Sequence, residues 1–365
     1  MKNDSLNIVV ACGGTGGHIF PGLATARVLA GRGHKVTLWL SGRRDVERQS
    51  VAGCGLEIFN TRAVPFGAGN AFAFCAAFFR CWRAMRRARP DAVLAMGSYS
   101  SLAPVAAARL CHVPVVLHEA NATPGRAVRL LARFAERVAV SFGESAGELP
   151  QGKVVFTGLP IRVGELSSAV ECDRTRSKSF TVFVTGGSQG AHRVNELASE
   201  AFALMARKGV EGLRVVHQTG AADEKGIAEF YARSGVEARV EAFVRDMGAA
   251  YAAADVVVAR AGAATCAELA FCGVPAVFIP LPTATNDHQT ANAECFVKAG
   301  AAACFRQAET TPEKLAEFLT GLRDDPERLK AMRGRAVSLA TPDAGERLAE
   351  VVELTARRGC RTCGR

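Results

Sequence analysis

Short apolar runs alternate with longer segments of helical period along most of the chain. The first half contains the runs LNIVVA, KVTLWL, DAVLAM, VPVVLH and RVAVSF, separated by segments such as FPGLATARVLAGRG. Short runs rich in β-branched residues predict buried strands, and the separating segments predict helices. Strands that alternate with helices indicate a parallel sheet covered on both faces.

The alternation pauses at KVVFTGLPIR, residues 153–162, and then starts again. The polar stretch SSAVECDRTRSKS after the pause is the best linker candidate, and the second series of strands comprises FTVFVT, RVVHQTG, ARVEAF, DVVVAR and VPAVFIPLP. The pattern predicts an α/β protein with two Rossmann-like, doubly wound parallel-sheet domains facing a cleft that holds the ligands. We expect these domains at residues 1–160 and 161–340, followed by a C-terminal helix and tail at 341–365 that could pack back on the first domain. Thr311 before Pro312 predicts the start of a helix.

A glycine-rich turn joins a strand to a helix in each half. The first is VVACGGTGGHIFPG, residues 9–22, and the second is TGGSQGA, residues 185–191. Free N–H groups at such a helix start bind phosphate. The first turn does not fit a dinucleotide fingerprint, because the third glycine would fall on Ile19 and the second strand ends LWLSGRRD without an acid at its tip. Ser188 lies where a hydroxyl would meet a diphosphate, although a purely structural turn is the alternative.

Titratable and amide side chains gather at the predicted strand ends. His18 follows the first glycine turn, where a neutral imidazole can take a proton from an attacking hydroxyl, and the alternative is that it only caps or packs. The loops MGSYSSLAP and LHEANATPG, which contain Ser98, Ser100, Glu119 and Asn121, end strands on the same edge. Each loop alone fits an ordinary turn, but together they favour a shared acceptor site.

The largest group of candidate ligand-binding residues lies at 255–293, in the stretch DVVVARAGAATCAELAFCGVPAVFIPLPTATNDHQTANA. Thr265 begins a helix on which Glu268 can accept hydrogen bonds from a ribose diol, and Asp287, His288, Gln289 and Asn292 are suited to sugar hydroxyls. No D-x-D pair offers itself to a metal, so we expect helix N-termini and Arg162 to hold the phosphate charge.

The segment NAFAFCAAFFRCWRAMRRARP, residues 70–90, combines aromatic and basic side chains. This set predicts contact with an anionic membrane surface, and the alternative is a core helix with a solvated basic end. The residues concerned are Phe72, Phe78, Phe79, Trp82, Arg80, Arg83, Arg86 and Arg87. The longest apolar run is much shorter than the roughly 20 residues that cross a bilayer.

Composition limits the class of protein without choosing its ligand. The 365 residues carry a formal charge of +10, which favours anionic partners such as nucleic acid, phospholipid headgroups or phosphorylated substrates. The 12 cysteines lie mostly in apolar segments, as expected of a reducing compartment. No secretory signal is evident, so we expect a cytoplasmic protein that can touch a membrane. Cys360 and Cys363 form a lone pair that is weak support for zinc or redox chemistry.

Taken together, the motifs GGTGGHIFPGLA, HEANATPGR, TGLPIR, TGGSQGA, EAFVRDM and RAGAATCAEL…GVPAVFIPLP…DHQTANA resemble the MurG family of glycosyltransferases. The resemblance runs in the same order from about Asn7 to Ala303. It implies a GT-B fold and an inverting, metal-independent enzyme without a cofactor. Such an enzyme moves N-acetylglucosamine (GlcNAc) from UDP-GlcNAc to the muramoyl 4-hydroxyl of lipid I, undecaprenyl-diphospho-N-acetylmuramoyl-pentapeptide, and so makes lipid II for peptidoglycan.

The resemblance also implies a place and partners for the chain. It implies a peripheral protein on the cytoplasmic face of the bacterial inner membrane, with UDP-GlcNAc, lipid I and an anionic membrane surface as partners. Other cell-wall synthesis proteins are further candidates, and nucleic acid is not expected.

Roles for individual residues follow from the resemblance. His18 is the expected base and Glu119 the reserve, Val244 meets uracil through its backbone, and Glu268 binds the ribose. The UDP-GlcNAc contacts are Thr15, Gly16, Gly17, His18, Asn121, Arg162, Ser188, Val244, Thr265, Glu268, Gln289 and Asn292, and the acceptor diphosphate contacts are Gly14, Gly16, Gly17, Ser98 and Ser100.

Three departures from the family pattern lie on the acceptor side. The family often has Gln at Ala120 and Asn at Leu159, and its loop that corresponds to GSYSSLAP, residues 97–104, carries more glycines.

Two kinds of alternative function stay open. One is another GT-B enzyme that uses a UDP-sugar, such as a glycolipid glycosyltransferase or a UDP-GlcNAc 2-epimerase, and the other is a non-catalytic nucleotide-sugar-binding protein.

Overall fold

The computed structural model describes residues 5–43, 45–64, 67–170, 179–187 and 190–362. The chain divides into two compact units. The first unit comprises Met1–Arg162 together with Thr341–Arg365, and the second comprises Val163–Ala340. The expected boundary between residues 160 and 161 lies next to this division.

The first unit contains a seven-stranded parallel sheet in the order β3-β2-β1-β4-β5-β6-β7. The strands are β1 (Asn7–Ala11), β2 (Lys35–Leu40), β3 (Glu57–Asn60), β4 (Ala92–Ala95), β5 (Val115–Glu119), β6 (Arg137–Val140) and β7 (Val154–Phe156). The helices before the second unit are α1 (Gly16–Gly31), α2 (Asp45–Val51), α3 (Ala71–Ala88), α4 (Leu102–Leu110) and α5 (Arg126–Leu131). Central strands are buried on both faces, which is why β1 and β4 read as nearly continuous apolar runs.

The second unit contains a six-stranded parallel sheet in the order β10-β9-β8-β11-β12-β13. The strands are β8 (Phe180–Thr185), β9 (Leu213–Gln218), β10 (Ala238–Glu241), β11 (Val256–Ala259), β12 (Ala276–Phe278) and β13 (Ala302–Cys304). The helices are α6 (Val163–Val170), α7 (His192–Arg207), α8 (Glu224–Ser234), α9 (Met247–Ala253), α10 (Ala263–Cys272), α11 (His288–Ala299), α12 (Pro312–Arg323) and α13 (Pro326–Ser338). The predicted α/β class with two Rossmann-like parallel sheets is confirmed.

The last helix, α14 (Ala344–Thr362), belongs to the first unit. Leu348 and Val352 of this helix are completely buried in one core with Leu29 of α1 and with Val116 of β5. Burying a side chain of this size contributes about 1.5–3 kcal/mol. Glu353 adds a polar contact with His34, which follows the same end of α1; its Oε1 lies 3.0 Å from the His34 Nε2.

Three short strands, β3, β7 and β13, were not predicted. All three lie at the edge of a sheet and comprise only three or four residues; β3 begins and ends with a polar residue, β7 is Val-Val-Phe, and β13 consists of small residues. β7 lies within KVVFTGLPIR, where the pattern predicted a pause. The proposed linker begins inside α6, and its residues 171–178 lie outside the described residues.

The predicted cap at the start of α12 is confirmed, because the Thr311 hydroxyl accepts a hydrogen bond from the Lys314 N–H at 3.4 Å.

Candidate functional site

The first glycine turn follows β1 and ends at the start of α1. Thr15 precedes the helix, and its side chain does not cap the helix. Its hydroxyl lies 3.1 Å from Nδ1 of the half-buried His18, and its carbonyl accepts the His18 N–H at 2.9 Å. Gly16 and Gly17 supply the first two N–H groups of α1, which point out of a helix start and are suited to an anion.

The Gly14 N–H of this turn is engaged inside the protein. It donates to Oε1 of Glu47 at 2.6 Å, and Glu47 is completely buried. The same carboxylate accepts the Ser41 hydroxyl at 2.7 Å and the Gly42 N–H at 2.6 Å. The expected contact between the Gly14 N–H and the acceptor diphosphate is therefore withdrawn, because a buried carboxylate already occupies this N–H group.

Ser98 and Ser100 brace the same turn from the loop after β4. The Ser100 hydroxyl donates to the Gly13 carbonyl, and the Ser98 hydroxyl accepts the Ser100 N–H at 3.1 Å. Both side chains are buried. A Cβ on Gly14, which has φ of 128°, would lie 2.8 Å from the Ser98 hydroxyl, so glycine is required at the point of contact. The two serines shape the turn, and their contact with the acceptor diphosphate stays a prediction.

The HEAN loop after β5 is ordered by Glu119. The nearly buried carboxylate accepts the Asn121 N–H at 2.8 Å, the Asn121 side-chain amide at 3.2 Å and the Gly125 N–H at 2.9 Å. Both carboxylate oxygens thus accept hydrogen bonds within the loop, and the role of Glu119 as the reserve base stays a prediction. Burial lowers the pKa of the neighbouring His118 to about 4, so this imidazole is neutral.

Arg162 ends the first unit close to the first glycine turn. Its guanidinium carbon lies 4.6 Å from the centre of the Phe20 ring on α1. This stacking holds the cation beside the helix that follows the glycine turn.

The second glycine turn follows β8 and leads to α7, and its Ser188 lies outside the described residues. The Gly190 N–H donates to the Gly187 carbonyl at 3.0 Å. Gly190 has φ of 74°, and a Cβ there would lie 2.0 Å from the Thr219 carbonyl oxygen, so only glycine fits. Ala191 before α7 provides no side-chain cap.

Gln218, at the end of β9, connects this turn to the segment that contains Val244. Its Oε1 accepts the Val244 N–H at 2.9 Å, and its Nε2 donates to the Thr185 hydroxyl at 3.1 Å and to the Gly187 carbonyl at 3.0 Å. Both Gln218 and Val244 are buried. We did not single out Gln218 from the sequence, although its position at the end of the apolar run RVVHQTG is the signal that could have found it.

Thr265 and Glu268 lie on α10, which follows the turn at Gly262. Thr265 occupies the third position of the helix, and Gly262 has no side chain to cap it. Oε2 of Glu268 accepts the Tyr251 hydroxyl at 2.9 Å. Burial, helped by the Glu268 carboxylate, raises the pKa of Tyr251 well above its usual value, so this phenol stays a donor.

The two residues expected to bind sugar hydroxyls both lie in the first half of α11 and make different contacts. Gln289 is half-buried, and its Oε1 accepts the Leu281 N–H at 3.0 Å. Asn292 is completely buried, and its Nδ2 donates to the Ala261 carbonyl at 3.0 Å. This amide therefore supports the turn after β11, and the contact of Asn292 with the sugar hydroxyls stays a prediction.

The aromatic and basic helix α3 has two faces. Ala77, Cys81 and Met85 are buried in the core, and Phe78 and Trp82 pack partly against it. The opposite face exposes the following side chains: Phe72 (90%), Phe79 (60%), Arg80, Arg83, Arg86 and Arg87. The core alternative and the surface prediction therefore apply to different faces of one helix.

In the described part of the chain, no helix has both the length and the apolar character to cross a bilayer. Among the same residues, no three His, Cys, Asp or Glu side chains are grouped as ligands for a metal ion.

In a comparison with models of known protein families, each half of the chain matches one domain of the same family. Residues 8–140 match the model of the glycosyltransferase family 28 N-terminal domain, and residues 181–348 match that of its C-terminal domain.

Two relatives carry the name UDP-N-acetylglucosamine–N-acetylmuramyl-(pentapeptide) pyrophosphoryl-undecaprenol N-acetylglucosamine transferase. The protein from Myxococcus xanthus is 38% identical over 95% of this chain and 92% of its own. The protein from Bordetella parapertussis is 41% identical over 96% of this chain and 98% of its own.

Among solved structures, the crystal structure of Acinetobacter baumannii MurG has a TM-score of 0.81 and 30% identity, covering 95% of this chain and 99% of its own. A UDP-GlcNAc 2-epimerase from Neisseria meningitidis has a TM-score of 0.71 and 14% identity, covering 94% of this chain and 98% of its own, which is a likeness of fold alone.

Proposed function

The chain belongs to glycosyltransferase family 28, and from this membership we propose that it transfers GlcNAc from UDP-GlcNAc to the muramoyl 4-hydroxyl of lipid I, giving lipid II. It is a UDP-GlcNAc-dependent N-acetylglucosaminyltransferase of peptidoglycan synthesis. The observation that carries the proposal is the identity of 38% and 41%, over nearly the whole chain, with relatives named for this transfer.

The reaction is a single displacement with inversion. The muramoyl O4 forms a bond to C1 of GlcNAc while the bond from C1 to the phosphate oxygen breaks, and UDP leaves with the electron pair. Negative charge therefore grows on the diphosphate, and the O4 proton must go to a base. An enzyme accelerates this step when it stabilises the charge on the diphosphate and accepts the O4 proton in the transition state more strongly than in the ground state.

His18 is the proposed base. The 3.1 Å contact between Nδ1 and the Thr15 hydroxyl orients the ring, and with Nδ1 protonated the proton acceptor is Nε2. The N–H groups of Gly16 and Gly17 at the start of α1 then face the acceptor diphosphate.

The second unit holds the donor in this proposal. The starts of α7 and α10 face the UDP diphosphate, with Thr265 beside it, because neither helix start is capped by its own preceding side chain. Glu268 binds the ribose hydroxyls and Gln289 the GlcNAc hydroxyls. The Val244 N–H is already bonded to Gln218, so the uracil contact would use the Val244 carbonyl.

Three further donor contacts complete the proposal. Asn121 faces the donor sugar from the HEAN loop, while Arg162 and Ser188 contact UDP.

The acceptor carries a polyprenyl chain, so the enzyme must work at a lipid surface. We assign this contact to the exposed face of α3, on the cytoplasmic face of the inner membrane. Insertion of Phe72 and Phe79 would contribute about 1.5–3 kcal/mol each, and each arginine near an anionic surface about 1 kcal/mol.

Vesicle sedimentation tests this assignment. The double variant Phe72→Ser/Phe79→Ser should bind vesicles containing phosphatidylglycerol at least about tenfold more weakly. Phe134→Ser is the matched control, because Phe134 is 47% exposed on the same unit but outside α3. Equal binding by the double variant and the control would contradict the assignment.

The transfer itself is tested with labelled UDP-GlcNAc and a short-chain lipid I analogue, with EDTA present. We expect label in the glycolipid product, and we expect His18→Ala to lower kcat by about 10²–10⁴ while UDP affinity stays within about twofold. Equal losses of kcat and UDP affinity would remove His18 from the base role. Conversion of UDP-GlcNAc to its 2-epimer without transfer would favour the epimerase alternative.

A further inference from the structure

The side chain of Gln218 occupies a special position in the second sheet. In the parallel register, Gln218 pairs with Thr185 at the end of β8 and with Glu241 at the end of β10. A long side chain at this position can therefore reach the loops that follow both neighbouring strands. These loops are the second glycine turn and the segment leading to Val244.

The hydrogen bonds fix the orientation of the Gln218 amide. Oε1 faces the Val244 N–H, which can only donate, and Nε2 faces the Gly187 carbonyl, which can only accept. Turning the amide over would place donor against donor and acceptor against acceptor. The Thr185 hydroxyl, which accepts from both Nε2 and the Gly187 N–H, closes this small network.

We infer that Gln218 is a positioning residue that holds the uracil segment at Val244 and the diphosphate turn at Gly187 in one fixed arrangement, and so sets the selectivity for a uracil nucleotide. This inference rests on the proposed function for the identity of the nucleotide. Gln218 acts through the backbone of Val244 and Gly187, and we assign it no contact with the substrate.

Base selectivity follows from this arrangement because uracil and cytosine differ in hydrogen bonding at N3 and C4. Uracil presents a donor at N3 and an acceptor at C4, and cytosine presents an acceptor and a donor. A backbone carbonyl held at a fixed distance distinguishes the two, whereas a loosened one does not.

Binding of UDP and CDP to the full chain tests the inference without any transfer reaction. Gln218→Met keeps the length of the side chain but removes all three hydrogen bonds. We expect the UDP dissociation constant to rise at least about tenfold and the preference for UDP over CDP to fall at least about threefold. Gln218→Glu can still accept the Val244 N–H but cannot donate to Gly187, so it should lose UDP affinity as well.

Tyr231→Phe is the matched control. It removes another buried hydrogen bond in the same unit, the 2.7 Å contact between the Tyr231 hydroxyl and Nδ1 of His217 on β9. We expect this variant to lose thermal stability and to keep the preference for UDP. Kinetics should agree, with a higher KM for UDP-GlcNAc and an unchanged KM for lipid I in Gln218→Met.

An unchanged preference for UDP in folded Gln218→Met would overturn the inference, as would a loss matched by Tyr231→Phe. If Gln218→Met does not fold, Thr185→Val removes one acceptor from the network and should shift the preference in the same direction. A wild-type protein that binds UDP but transfers no sugar would refute the proposed function and leave the inference on Gln218 standing.

Discussion

The buried carboxylate of Glu47 holds the first glycine turn in place, and its removal should destabilise the first unit. Its carboxylate accepts two hydrogen bonds on Oε1, from the Gly14 N–H and the Ser41 hydroxyl, and one on Oε2 from the Gly42 N–H. Glu47→Ala leaves the buried Gly14 and Ser41 donors unpaired, each at a cost of about 1–3 kcal/mol. With the cavity left behind, we expect the first unit to lose about 3–5 kcal/mol of stability.

Glu47→Gln replaces the carboxylate with a neutral amide that keeps part of its hydrogen bonding. The amide oxygen can still accept from Gly14 and Ser41, while the amide nitrogen faces the Gly42 N–H, a donor against a donor. Since Gly42 is exposed and can bond water, we expect a smaller loss of about 1–2 kcal/mol.

Urea denaturation followed by tryptophan fluorescence measures this loss in the right unit. The chain has two tryptophans, Trp39 and Trp82, and both lie in the first unit. Glu148→Ala is the matched control, because its ion pair with Arg129 is exposed and should be worth less than about 1 kcal/mol. A Glu47→Ala loss no larger than that of the control would refute the account of the turn.

Three further predictions concern Cys12, His118 and Gly190. Burial raises the pKa of the Cys12 thiol to about 12, so iodoacetamide at pH 8 should label the exposed Cys75 and spare Cys12 in the native protein; mass spectrometry showing equal labelling would contradict this. Burial lowers the pKa of His118 from 6.5 to about 4, so between these pH values the unfolded chain binds one proton more than the folded chain. Stability should therefore decrease as the pH is lowered from 6.5 to about 4, by up to about 1.4 kcal/mol per pH unit. His118→Asn should flatten that slope in urea titrations, and an unchanged slope would exclude His118 as its source. Gly190→Ala should raise the UDP dissociation constant at least about tenfold, because its Cβ would collide with the Thr219 carbonyl; calorimetry giving wild-type affinity would show that the turn adapts.

The central strands could be predicted from the sequence because burial on both faces demands a continuous apolar run. The edge strands β3, β7 and β13 could not, because each has only three or four residues and β3 also carries polar residues such as Glu57.

Site residues could be predicted from the sequence where the local backbone geometry requires a particular residue type. Glycine at Gly190 and His18 after a strand are visible in the sequence, since a tight turn and a helix start need particular residues. Glu47 and Gln218 were missed because their roles are hydrogen bonds to segments distant along the chain. The support that Asn292 gives to the turn after β11 was missed because the sequence does not show which side of a helix faces the core.

The direct test of the central claim compares lipid I with its 4-deoxymuramoyl analogue as acceptors for the purified chain and labelled UDP-GlcNAc. Our account predicts transfer of one GlcNAc to lipid I, with a β-linkage at O4, and no transfer to the 4-deoxy analogue, since the attacking hydroxyl is absent. Transfer to neither acceptor, or equal transfer to both, would contradict it.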